Sequence, residues 1–142
     1  MGKGIKKNDT FVSAQFSIPY VVAACLTDGK LGPSQLTEKR MADENLLTLS
    51  KKVTVKTDDT LNQLYPEKTS SRVEIKLINN RLLTNQIDIP KGDPRDPMTQ
   101  TDIIEKVKQY ADKRDAHRIE SVITKVLHIE EMSDMGELAP LI

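Results

Sequence analysis

The chain has no tryptophan, one cysteine, two histidines and two phenylalanines in 142 residues. A lone cysteine, Cys25, excludes an internal disulfide. Together with only two histidines it cannot supply a four-ligand zinc site or an iron–sulfur cluster without carboxylates or a second chain. Aromatic residues are 4% of the total, so the core has to be aliphatic. Neither sign of charge is in excess: 21 basic residues balance 21 acidic ones, and the basic ones are scattered. That pattern argues against nucleic acid as the main partner. No apolar run approaches the roughly 20 residues that span a bilayer. Met1 to Lys7 has a basic start with no apolar core behind it, unlike a secretory leader. A reduced, cytoplasmic setting is the expectation.

One stretch stands out against this background. Between Asp9 and Asp28 no residue is charged, and Ile18 to Leu26 is apolar apart from the Tyr20 hydroxyl and the Cys25 thiol. Pro19 fixes a helix start nearby, because proline is tolerated in a first turn where its missing N–H has no partner to lose. Ser13 or Ser17 is then the N-cap, and Gly29 supplies the left-handed residue that closes the far end. A helix apolar on all sides is expected to be buried. Its polar atoms therefore matter: Tyr20 is either a satisfied core residue or a hydroxyl presented to a site.

The remaining elements follow from local pattern. Residues 1–12 read as a mobile arm. Leu31-Gly-Pro-Ser34 is a turn, with a short helix beginning at Pro33 and another capped by Asp43. Lys52-Val-Thr-Val-Lys-Thr57 alternates as a strand does. Asp58 to Leu64 is a helical turn stopped at Tyr65-Pro66. Arg72 to Ile78 alternates more strongly, and Asn79-Asn80 suits the positive φ angles of a two-residue hairpin turn, after which Arg81 to Ile89 returns. The expected fold is α+β: a small antiparallel sheet of about three strands covered by the buried helix, followed by a C-terminal helical hairpin.

Pro90-Lys-Gly-Asp-Pro-Arg-Asp-Pro97 is either a stiff connector or an anion-holding loop using Lys91, a glycine amide and Arg95. A helix follows, with Met98 and Ile103 at hydrophobic-staple positions and Asp102 where a capping-box acid stands. Asp115 caps another, with a stripe of Ile119, Val122, Ile123, Val126 and Leu127. His117 and His128 lie eleven residues apart, about 16 Å along a helix at about 1.5 Å per residue, so they cannot share a metal. Both are expected in solvent. The apolar tail after Glu130 is expected to dock. Nothing in these patterns specifies a reaction.

Resemblance does. Ala14-Gln-Phe-Ser-Ile-Pro-Tyr-Val-Val-Ala-Ala24 with Leu26-Thr-Asp-Gly29 resembles the "fSxpYxxAxxLxxG" segment of the MmgE/PrpD family. Tyr65-Pro66, then Pro90-Lys-Gly-Asp-Pro-Arg-Asp-Pro-Met-Thr99, then Ile103-Ile-Glu-Lys106 match further family segments in order, across residues 13–142. Asn80 stands where a glycine is common, and Val107 where phenylalanine is. The family includes 2-methylcitrate dehydratase, cis-aconitate decarboxylase and iminodisuccinate epimerase, which move protons beside carboxylates. The resemblance implies a large helical domain, a smaller α+β lid domain, homodimer assembly and no iron–sulfur cluster, and no cofactor is expected for this chain. The resemblance covers roughly the last third of such an enzyme. It implies that residues 13–97 are part of the lid, that 98–142 pack on the helical domain, and that the principal catalytic groups lie elsewhere. Tyr20 matches the tyrosine that reaches the active-site cleft, which makes it the candidate catalytic residue. Ser17 and Lys91 are candidates for substrate binding. The expected partners are a second copy or a complementary helical-domain chain, and a small carboxylic acid.

Overall fold

Phe16 closes one helix and Ser17 caps the next, so two helices follow one another with a single junction between them. The computed structural model describes residues 2, 4–6, 9–111 and 115–141. Contacts divide the chain into two units: Met1–Val55 with Thr101–Ile142, and Lys56–Gln100.

The first unit begins with α1 (Phe11–Gln15), capped by the Thr10 hydroxyl, and α2 (Ile18–Asp28). Ser17 caps α2, its hydroxyl accepting from the Tyr20 amide at 3.3 Å, and Pro19 sits in the first turn. Gly29 ends α2 at φ 72°, and its N–H donates to the Cys25 carbonyl. A 3₁₀ turn, Pro33–Leu36, leads into α3 (Glu38–Met41) and α4 (Glu44–Ser50). Asp43 caps α4 through the amides of Asn45 and Leu46. Ala14, Tyr20, Ala23, Ala24, Met41 and Leu46 form the core, with Ile5, Leu31, Leu36 and Leu49 packed on it. The alanines of α2 let α4 approach closely. Burial is confined to one face of α2: Ile18, Cys25 and Leu26 are exposed, so the helix is not enclosed on every side as its composition suggested.

The same unit ends with α6 and α7. Helix α6 (Gln100–Tyr110) starts directly after Thr99, and α7 (Ala116–Leu127) is capped by Asp115, whose carboxylate accepts from the Arg118 amide at 2.9 Å. Lys108 and Glu120 join the two helices at 2.6 Å. The tail docks on α7 as expected: Leu138 is buried, and Arg118 donates to the Leu141 carbonyl at 2.8 Å. Residues 1, 3, 7 and 8 of the expected arm, the connection at 112–114 and Ile142 lie outside the described residues.

The second unit holds α5 (Asp59–Asn62), capped by Asp58, and a two-stranded antiparallel sheet of β1 (Ser71–Lys76) and β2 (Leu82–Ile87). In register, Val73 faces Asn85 and Ile75 faces Leu83. The hairpin turn differs from expectation. Only Asn80 takes a positive φ, 64°, closing a turn in which the Asn80 amide donates to the Leu77 carbonyl. The α+β class is as expected, with two strands among the described residues where about three were expected. Residues 52–57 alternate in sequence yet form no strand. Two valines are too little apolar surface to hold an edge strand in place, and the amides of Lys52 and Val53 instead close turns after α4 on the carbonyls of Leu49 and Ser50.

Candidate functional site

Tyr20, the family-implied site residue, is fully buried, and its phenol donates to the backbone carbonyl of Gln35 in the Pro33–Leu36 turn. Burial pushes the phenol's pKa up, opposed by the positive charge of Arg40. Ser17, 3% exposed, lies one turn before Tyr20 and fixes the backbone that carries it. The phenol therefore belongs to an ordered polar assembly at one end of the core.

That assembly runs through Gln35. Its side-chain amide donates to Asp28 Oδ2 at 3.0 Å. Arg40 grips the same carboxylate twice, from Nε to Oδ2 at 3.2 Å and from Nη2 to Oδ1 at 2.7 Å. With Nη1 it also holds Asp43, the cap of α4. Hydrogen bonds from Gln35 and Arg40 hold the Asp28 carboxyl below the usual range. A two-point grip by arginine on a carboxylate fixes geometry as well as charge. The network thus ties the C-terminal end of α2 to the following turn, to α3 and to the start of α4.

Asp28 and Asp43 were legible in sequence as helix-end residues, but their joining by Arg40 was not. Arg40 follows Asp28 by twelve residues, and no local period relates them. Gln35 carried no signal, because it meets the phenol through a backbone carbonyl and its side chain finds Asp28 only once the chain has folded.

Lys91 lies in the second unit, half exposed and paired with Asp96 at 3.0 Å. The loop around it is a self-satisfied connector. Arg95 grips Asp93 from Nε and Nη2 at 2.9 Å each and also donates to the Glu67 carbonyl. The Arg95 hydrogen bonds pull the Asp93 carboxyl down to about 2. Gly92 is at φ 98°, and its amide donates to the Asp96 carbonyl at 2.8 Å. The loop's own aspartates thus engage both cations that the anion-holding alternative would use.

His117 and His128 are exposed, as expected. Among the described residues no cluster of three potential metal ligands occurs, and no helix is long and apolar enough to cross a membrane. An open groove of about 480 Å³ runs along α7 past His117, Ser121 and Lys125, and none of Ser17, Tyr20 or Lys91 lines it.

Much apolar surface is left outside. Both phenylalanines, Phe11 and Phe16, are exposed on and beside α1, as are Val12 and Ile18. Ile103, Val107 and Tyr110 are exposed on α6.

No curated protein matches the chain. Residues 1–129 match the family model of the MmgE/PrpD C-terminal domain, which takes in the N-terminal arm and stops within the 3₁₀ turn after α7.

Proposed function

Because the chain belongs to the MmgE/PrpD family, as its C-terminal domain, we propose that it is the C-terminal portion of a lyase acting on a small di- or tricarboxylic acid, by dehydration of 2-methylcitrate or a close analogue. The family match over 129 of the 142 residues carries this reading. Proton abstraction beside a carboxylate needs a positioned base. The proposal places that base in the family's helical domain, so the 142 residues alone are inactive.

Tyr20 is the proposal's catalytic residue. Its phenol donates a hydrogen bond to a substrate carboxylate, or passes a proton, by exchanging its Gln35 acceptor for the substrate. Ser17 keeps the first turn of α2 in place, and Lys91 is the proposal's candidate for contact with an anionic group of the substrate. Burial keeps the phenol protonated, the form that donates a hydrogen bond.

The exposed apolar residues of α1 and α6 support a protein partner, in keeping with the sequence expectation of self-association or a complementary helical-domain chain. The test is turnover of 2-methylcitrate by the chain alone and after combination with a helical-domain polypeptide of the family. The expected result is no dehydration alone and dehydration after combination. Dehydration by the isolated chain would overturn the proposal.

A further inference from the structure

The phenol of Tyr20 is met by a short segment built on the 3₁₀ turn Pro33–Leu36 rather than by an α-helix. Within residues 31–37 the Gln35 carbonyl accepts from the phenol. The segment's apolar anchoring is two half-buried leucines, Leu31 and Leu36, packed on the core beside the buried Gly32 and Gln35, while Pro33, Ser34 and Thr37 are exposed. Gly32, at the start of its 3₁₀ turn, provides no side-chain cap.

Polar tethers hold it as well. Gln35 Nε2 donates to Asp28 Oδ2 at 3.0 Å, on a carboxylate that Arg40 grips from the other side. From α6, Gln109 Nε2 donates to the Leu31 carbonyl at 3.3 Å. The same side chain fills the space over Gly32, where an added Cβ would stand 1.9 Å from Gln109 Nε2. By contrast, the rest of the buried cluster that Tyr20 belongs to includes Ala23, Ala24 and Leu46 of the packed helices α2 and α4. If the phenol is to be reached, residues 31–37 are the part that gives way.

We propose that residues 31–37 form a strap that closes over Tyr20. The Gln35 carbonyl then occupies the acceptor position a substrate carboxylate takes, and the Asp28–Arg40 pair and Gln109 are the catches that hold the strap shut. The functional side of this inference rests on the reading of Tyr20 given above. A carbonyl and a carboxylate oxygen are both sp² acceptors, so one replaces the other at the phenol without change of donor geometry. The strap keeps the phenol partnered while no substrate is present, and an unpartnered buried hydroxyl is what it avoids.

The experiment is tyrosine nitration of the 142-residue chain with tetranitromethane, mapped by peptide mass spectrometry. Tyr65 and Tyr110, 70% and 62% exposed, report the unprotected rate. In the unaltered chain Tyr20 is spared. Gln35→Ala removes the tether to Asp28 and leaves the backbone carbonyl, and nitration of Tyr20 is expected to rise about tenfold, the effect of losing one hydrogen bond to a charged group. Gln109→Ala cuts the second tether from a different helix, raises nitration in the same direction, and serves if Gln35→Ala does not fold. Nitration of Tyr20 at the rate of Tyr65 in the unaltered chain overturns the closure. So does unchanged protection in variants whose circular dichroism is intact. If the variants unmask Tyr20 while Tyr20→Phe leaves turnover of the combined enzyme untouched, the strap stands and the catalytic reading of Tyr20 falls.

Discussion

Replacing Tyr20 by phenylalanine separates packing from hydrogen bonding in the buried core of the first unit. The ring, fully buried among Ala23, Ala24 and Leu46, is retained, so no cavity of consequence opens. What is lost is the hydroxyl that donates to the Gln35 carbonyl. Gln35 is itself only 7% exposed, so water does not simply replace the donor. Leaving a buried carbonyl without it costs about 1–3 kcal/mol. For a chain of this length that is a fall in melting temperature of about 3–10 °C. Urea denaturation of the 142-residue chain measures the free-energy change, and a lowered midpoint at constant slope is the expected form. A loss below about 0.5 kcal/mol, the range of ordinary surface substitutions, would refute the reasoning. It would mean that the phenol does not spend its time on that carbonyl.

Other consequences follow from the same geometry. Arg40→Ala removes the cation shared by Asp28 and Asp43 and should cost about 1 kcal/mol or more, because a multi-charge network at partly buried positions exceeds a single surface pair; thermal denaturation reads it. Gly29→Ala should cost about 1 kcal/mol, purely from the left-handed backbone, since an added Cβ meets nothing within 4 Å. Stability should fall at both ends of the pH scale. Asp28, Asp58, Asp88 and Asp93 have folded pKa values below the unfolded 3.8, so in acid the unfolded chain binds more protons, and their contribution drains away as pH drops from about 4 toward about 2. Tyr20 is shifted the other way, above 10.0, so its contribution is full below that pH and is lost as pH rises through the folded value. Denaturation midpoints across pH, compared with Asp93→Asn and Tyr20→Phe, check both edges.

The helix ends were the most legible part of the chain, because each is decided by one residue. Ser17 with Pro19, Gly29, Asp43 and Asp115 all act where local chemistry puts them. The hairpin was legible too, since Val73, Ile75 and Leu77 alternate against charges, although Asn79 did not need the backbone angle that Asn80 took. Residues 52–57 misled because alternation describes a surface and not a partner: a strand exists only when another strand accepts its hydrogen bonds. The candidate site was legible only at Tyr20 and Ser17. Gln35 acts through a backbone oxygen, which no side-chain pattern announces, and Arg40 reaches Asp28 across two turns of chain whose path only folding defines. Lys91 was legible as a cation but not as one already engaged with Asp96.

The most direct test of the proposed catalytic role is kcat of Tyr20→Phe in this chain combined with a helical-domain polypeptide of the family. At a temperature where both forms remain folded, the account predicts that kcat falls on the order of 100-fold or more, the scale of a lost acid–base group. Unchanged kcat, with only the melting temperature lowered, would contradict it and leave the phenol as a brace of the core.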